Sequence, residues 1–329
     1  MNIEELNTAL AQIFASDDLL KNEPMSKHTT FRCGGPAQFF VRASNAADIT
    51  AAISAAEKAD APWWIVGCGS DLLVSDAGLP GVVIEIGERM AHISIDGSIV
   101  HAQAGATNEA VAQAALEAEL TGYEFASGIP GSVGGAAIMN AGAYDGEFKD
   151  VAVSVSCLFP DGTVREIPAE EADWSYRHSM MSDKGLVVLE ATLQLAAGDK
   201  DEIRAKMDDL SQRRSSKQPL EMASAGSTFK RPEGYFAGKL IQDSGMQGHS
   251  VGDAQVSTKH AGFVVNTGNA SAADVLQVIR DVQAAVADQF GVTLETEVRM
   301  WGFDPTNNQR GVLLIQCASC RSIVIAYAR

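Results

Sequence analysis

Residues 126–144 read ASGIPGSVGGAAIMNAGAY, an uncharged stretch that carries Gly128, Gly131, Gly134, Gly135 and Gly142 together with Pro130 and Asn140. Glycine tolerates positive φ and lets other groups approach the backbone, so clustered glycines expose N–H groups able to cradle a pyrophosphate. Bulky side chains are largely absent, as expected where backbone lies against a flat cofactor bearing phosphates. The stretch is expected to be too flexible for a simple core element. A second cluster, Gly67-Cys68-Gly69-Ser70, follows the apolar run Trp63-Trp64-Ile65-Val66 and precedes Leu72-Leu73-Val74. It does not make a dinucleotide fingerprint, because position 72 is leucine and the residues after it read as strand rather than helix. Alone it reads as readily as a turn between strands. Two strand-flanked glycine loops outside the Rossmann pattern, with no P-loop sequence anywhere, suggest a flavin.

Outward from these loops the pattern alternates between short strands and helices. Ile3, Leu6, Leu10, Ile13 and Phe14 recur at helical spacing near the start. A strand is expected over 29–42, broken at Gly34-Gly35-Pro36, and then a helix capped by Asn45 with Ile49, Ala52, Ile53 and Ala56 on one face. Hairpins are expected at 92–104, about Asp96-Gly97, and at 151–167, about Asp161-Gly162. Helices at 108–120 and 200–215 and strands at 82–86, 186–195, 261–266 and 292–300 complete most of the chain. The last helix opens at Ser271 and places Val275, Val278, Ile279, Val282 and Val286 on one side. AAGDK at 196–200 reads as a domain boundary.

Composition narrows the function. With 329 residues, 46% of them apolar, the chain is long enough for two or three domains. Its 25 basic and 42 acidic residues leave a net charge of −17, which excludes the basic surface that a nucleic-acid binder needs. A few local cations can still hold an anionic small molecule in a cleft. The five cysteines, at 33, 68, 157, 317 and 320, read as reduced thiols rather than a disulfide framework. Cys317-Ala318-Ser319-Cys320 lacks the two further ligands of a zinc site, and no metal is expected. Neither a signal peptide nor a membrane-spanning apolar run is visible, so a cytoplasmic protein with no membrane partner is expected.

Seven stretches carry a resemblance. They are HTTFRCGGPA (28–37), GCGSDLLVSDAG (67–78), the glycine-rich 126–144, YRHS (176–179), RRSSKQPLEMASAGSTFKRP (213–232), AGKLIQDSG (237–245) and HAGFVVNTGNASAADV (260–275). In order and spacing they resemble the UDP-N-acetylenolpyruvoylglucosamine reductase (MurB) family, in its shorter type II form, from residue 25 to residue 303. The resemblance implies an α+β protein: an FAD-binding domain of the p-cresol methylhydroxylase/vanillyl-alcohol oxidase type plus a smaller α/β substrate-binding domain. Its divisions would be a helical segment at 1–30, the FAD-binding domain at 31–198, the substrate-binding domain at 199–303 and an atypical tail at 304–329. It further implies FAD as cofactor, NADPH as co-substrate, a UDP-sugar substrate, a role in peptidoglycan precursor synthesis, and a site that requires no oligomer.

The same resemblance assigns site residues. Arg177 matches the arginine that holds the substrate carboxylate, Ser227 the proton donor, and Glu297 the acid that stabilises the intermediate. Taken singly, Ser227 beside Gly226 reads as a turn, Glu297 as a solvated strand face and Arg177 as a surface charge. Gly67, Gly69, Ser70, Gly128, Gly131, Gly134, Gly135, Asn140 and Gly142 are the cofactor-binding candidates. Tyr176, Arg214 and Lys217 are the substrate-binding candidates, although Arg214 and Lys217 also suit the cation-favouring end of a helix. The chain departs from the usual pattern at Cys33, Cys68, Asp71 and Thr296. Asp71 would set a negative charge close to the pyrophosphate site.

Overall fold

The computed structural model describes residues 1–303 in full and, beyond them, the backbone of two paired strands, Val312–Gln316 and Ile323–Tyr327. The expectations for Cys317 and Cys320 lie outside the described residues. Near the amino end, α1 (Ile3–Ile13) and α2 (Ala46–Lys58) begin at Asn2 and Asn45, whose side chains accept the N–H groups of Glu5 and Asp48. Beside them lies a four-stranded sheet in the spatial order 19–24, 36–42, 79–85, 63–66. Side chains alternate across a strand. Phe39, Val41, Val82 and Ile84 therefore join Leu6, Leu10, Ile49 and Ala52 in one core, while Phe40 and Val83 enter another with Val66 and Val74.

A five-stranded antiparallel sheet follows, ordered 164–168, 152–158, 187–194, 99–103, 93–96. Both expected hairpins are present in it. Against it lies α4 (Val133–Met139), and α3 (Asn108–Glu117) shares the core, the two helices contributing Val133, Ala137, Val111 and Ala115. Helix α4 corrects the expectation that 126–144 avoids the core. Its small residues permit close approach rather than looseness: a Cβ on Gly134 would lie 2.9 Å from that of Ala104. The short α5 (Met180–Asp183) precedes the central strand, and α6 (Lys200–Lys217) leads out of this unit.

The second unit is a four-stranded antiparallel sheet, ordered 223–224, 264–266, 254–256, 250–251, packed with α7 (Ala237–Asp243) and α8 (Ala272–Phe290). The five apolar residues expected on one side of α8 are all buried, each worth about 1.5–3 kcal/mol of burial. Phe31, Cys33 and Leu73 of the first unit complete this core.

Three expected strands are shorter than the pattern implied, and the one placed at 261–266 is regular only over Val264–Asn266. The strand placed at 29–42 begins at Pro36, because Arg32 and Gly34 take positive φ in a turn where Thr29 Oγ1 donates to the Cys33 carbonyl at 2.9 Å. The strand placed at 292–300 is regular only over Arg299–Trp301. Its earlier residues change partners along the way: the Glu295 carbonyl accepts from Lys230, Glu297 N–H donates to Thr228, and Arg299 N–H donates to Asp71. The segment thus crosses from the second unit to the first, where Arg299–Trp301 pairs in parallel with Leu72–Val74. Among the described residues no helix is long and apolar enough to cross a membrane.

Candidate active site

The two glycine clusters, far apart in sequence, meet in space. Ser70 Oγ donates to the Pro130 carbonyl at 3.1 Å, and a Cβ on Gly131, whose φ is +127°, would stand 2.8 Å from that hydroxyl. A Cβ on Gly67 would fall 2.6 Å from Ser132 Oγ, while one on Gly135 would meet only Ser132 Oγ, at 3.8 Å. Gly67 and Gly131 thus seat the two loops on Ser132 and Ser70, and with Ser70 and Gly135 they form a shelf whose open backbone lies at Gly135. Open glycine backbone there suits a flat cofactor bearing phosphates. Other glycines of the two clusters also pack closely on protein atoms. Gly69 packs under the His28 carbonyl, Gly134 against Ala104, Gly142 against the Gly146 carbonyl and its strand partner Glu147, and Gly128 against the Arg214 side chain.

The Asn140 side chain bonds within the protein. The residue ends α4 in the left-handed conformation, and its Nδ2 donates to Glu147 at 2.9 Å and to the Ser175 carbonyl at 3.2 Å. Its Oδ1 accepts from Lys149 N–H at 3.0 Å. Trp174 Nε1 and Ser179 Oγ donate to the Ala137 and Ile138 carbonyls, each at 2.7 Å. The carboxy end of α4 thereby grips the loop 173–179, in which Arg177 is held at φ +56°. Such a conformation costs a branched or long side chain about 1–2 kcal/mol, which these bonds offset.

Arg177, Ser227 and Glu297 line one cleft of about 450 Å³, with Tyr176, Arg231 and His260 also on its wall. Arg177 Nε donates to Glu297 Oε1 at 2.6 Å. Ser227 is placed by its neighbour Thr228, whose N–H donates to Gly262, whose hydroxyl accepts from Val264 N–H, and whose carbonyl accepts from Glu297 N–H. One fully buried threonine thus ties the serine to the glutamate. Tyr176 is half exposed; its hydroxyl accepts Arg231 N–H at 3.1 Å and its ring lies 5.1 Å from the Arg177 guanidinium.

Burial pushes the Glu297 carboxyl above its ordinary range, against the pull of Arg177 and Lys230. Burial also opposes the charge on Arg177, but Glu297 outweighs it and leaves the guanidinium above its usual value. Behind them Asp71 is pushed well above the carboxylate range, by burial first and by Glu297 second, although Arg299 and Arg177 draw it down. Its Oδ2 is buried with no hydrogen-bond partner among the described residues. His260 Nδ1 accepts Gly262 N–H at 3.1 Å, which leaves the ring proton on Nε2, and burial holds the ring below its ordinary pKa.

The structure does not bring Arg214 and Lys217 into the cleft. Arg214 is buried against Gly128, with the Tyr144 ring 5.9 Å away. Lys217 is exposed at the end of α6. The cations on the cleft wall are Arg177, Arg231, Lys239 and Lys259, and the Lys259 ammonium donates to the Ser215 carbonyl at 2.8 Å. In a chain of net charge −17 these four cations gather on one wall, where Arg177, Lys239 and Lys259 are paired with Glu297, Asp243 and Glu221, acids that a polyanion would have to outcompete. Sequence reasoning missed Arg231, Lys239, Lys259 and His260, although all four stand within or beside the quoted motifs. Among the described residues no group of three or more His, Cys, Asp or Glu side chains is arranged to hold a metal ion.

Residues 37–168 match the family model of an FAD binding domain, and residues 218–301 match that of the UDP-N-acetylenolpyruvoylglucosamine reductase C-terminal domain. Over 296 residues the chain is 53% identical to the UDP-N-acetylenolpyruvoylglucosamine reductase of Agathobacter rectalis, covering 86% of this chain and 94% of that relative. The chain belongs to this reductase family. The reductase of Clostridium perfringens is 48% identical over 300 residues, 91% of this chain and 98% of its own. The crystal structure of the MurB reductase from Thermus caldophilus superposes with a TM-score of 0.74 at 35% identity, covering 86% of this chain and 99% of that one. The family's two parts fall on the two units: the FAD-binding match ends before α6, and the C-terminal match spans the second sheet and α8.

Proposed function

We propose that this chain reduces UDP-N-acetylenolpyruvoylglucosamine to UDP-N-acetylmuramate, with NADPH as reductant, in the cytoplasmic synthesis of peptidoglycan precursors. The observation that carries this reading is the meeting of Arg177, Ser227 and Glu297 in one cleft at the junction of the two units. The shelf of Gly67, Ser70, Gly131 and Gly135 would hold FAD, which when bound accepts hydride from NADPH and delivers it to the enolpyruvyl group. Arg177 holds the substrate carboxylate, for which a permanently charged planar guanidinium is suited. Negative charge developing on the carbon beside that carboxylate is stabilised by Arg177 and Glu297. Ser227 Oγ gives its proton to that carbon, a demand that a weakly acidic hydroxyl meets only against a strongly basic carbanion held in place. Lys239, Lys259 and Arg231 face the diphosphate. The first unit serves the cofactor and supplies Arg177 to the substrate, and the second holds the sugar nucleotide.

Rapid mixing separates the two halves of the reaction. NADPH should bleach the bound flavin, and the enolpyruvyl sugar nucleotide should restore its colour with formation of the lactyl ether. Protein that binds FAD and oxidises NADPH, yet leaves the enolpyruvyl group intact, would remove the proposed substrate.

A further inference from the structure

Arg177 and Glu297 are already partners at 2.6 Å, and both are largely buried at the cleft wall. On the reading above, Arg177 must also accept a substrate carboxylate. Two carboxylates on one buried guanidinium repel each other, and one of them is driven to take a proton. The charged groups around Glu297 decide which. Lys230 and Arg177 stand on the favourable side, and Arg299 follows two residues later, where the strand Arg299–Trp301 begins. Asp71, with its unpartnered Oδ2, is a second acid behind Glu297. Asp71 is the more deeply buried of the two and is already held toward its neutral form, which leaves Glu297, largely buried beside Arg177, as the acid that changes.

We propose that an incoming ligand carboxylate replaces Glu297 as the counter-ion of Arg177, and that Glu297 then takes up a proton, so binding is coupled to uptake of one proton. The inference rests on the reading that Arg177 receives the substrate carboxylate. The balance is simple: the Arg177–Glu297 ion pair is lost, an Arg177–ligand pair is gained, and a solvent proton ends on a Glu297 oxygen. Glu297 becomes a hydrogen-bond donor facing the site where negative charge will develop. Within the window between the free and bound ionisations of Glu297, affinity for the carboxylate-bearing ligand falls by up to about tenfold per pH unit.

Calorimetric titration of the FAD-loaded protein, repeated in buffers of different ionisation enthalpy, counts the protons. The ligand is UDP-N-acetylmuramate, which carries the carboxylate. UDP-N-acetylglucosamine, with the same diphosphate and no carboxylate, subtracts any proton taken by His260 or another group facing the phosphates. The expected result is an excess uptake that approaches one proton for the carboxylate-bearing ligand, absent in Glu297→Gln, which still binds that ligand. Equal proton counts for the two ligands on the unaltered protein would overturn the exchange, and that comparison stands even if the variant does not fold. An undiminished excess in Glu297→Gln would overturn it as well. Failure of UDP-N-acetylmuramate to bind at all would overturn both the exchange and the proposed function, whereas binding without excess uptake overturns the exchange alone.

Discussion

Asp76 closes the amino end of α8 from the other unit: its Oδ1 accepts Ala272 N–H at 2.8 Å. Its Oδ2 accepts the next N–H, of Ala273, at 2.8 Å. These are two of the donors that a helix leaves unpaired in its first turn, and a carboxylate there also meets the positive end of the helix dipole. Asn266 Nδ2, donating to the Phe31 carbonyl at 2.9 Å, makes a second tie across the same boundary.

Asp76→Ala should therefore destabilise the protein by about 1–2 kcal/mol, as loss of an N-terminal helix cap does. Asp76→Asn should lose less. Urea unfolding measures both, and an unchanged midpoint for the alanine variant would show that Ser271 and Asp274, which cap α8 from within, suffice.

Ser227→Ala should leave flavin reduction by NADPH nearly intact and slow reoxidation by the enolpyruvyl substrate by about 10²- to 10⁴-fold. Stopped-flow absorbance reads the two steps separately. Equal slowing of both would take Ser227 out of the donor role.

Asn140→Ala removes three hydrogen bonds and places a Cβ-bearing residue without polar support in the left-handed region, at a cost of about 2–4 kcal/mol. Because Asn140 holds the Ser175 carbonyl, the variant should also raise the KM for substrate while FAD still binds. Loss of FAD affinity with an unchanged KM would return Asn140 to the cofactor.

Asp71 gives a pH signature. Its folded pKa is raised, so between the unfolded carboxylate range and that raised value the folded state binds more protons than the unfolded one. Stability is then fully present below the ordinary aspartate range and falls as pH rises toward the raised value. Asp71→Asn lacks that loss. It should match or exceed the parent in stability at neutral pH, and the difference between the two should shrink as pH falls toward 4. Thermal unfolding across pH tests this; parallel curves would show that Asp71 is ionised with a partner.

Lys259→Ala should raise the substrate KM by about tenfold if its ammonium meets a phosphate. Lys217→Ala should raise it less, since Lys217 lies exposed beyond the cleft wall. The reverse order in steady-state kinetics would restore the assignment made from sequence.

The pattern of apolar residues located α8, both hairpins and the paired strands well, because each is a local repeat read against one neighbour. The segment 292–298 defeated the same logic. Its alternation is that of a strand, yet successive residues bond to different units, and no local pattern encodes a change of partner. Arg177, Ser227 and Glu297 were legible only because motifs surround them. Thr228 and Asn140 were not, since their work is to join stretches from 34 to 69 residues away. Arg214 was open for a related reason: a cation at a helix end looks the same in sequence whether it turns toward a ligand or, as here, folds back on a glycine.

Helix α4 meets the cofactor shelf at Ser132 and the arginine loop at Asn140, and its seven residues span about 10 Å. That short rod works as a ruler. A single inserted alanine would lengthen it by about 1.5 Å and swing its far end by about 100°. The separation between the glycine shelf and the arginine loop is accordingly set by a count of backbone units, a dimension that no side-chain replacement in the cleft can adjust.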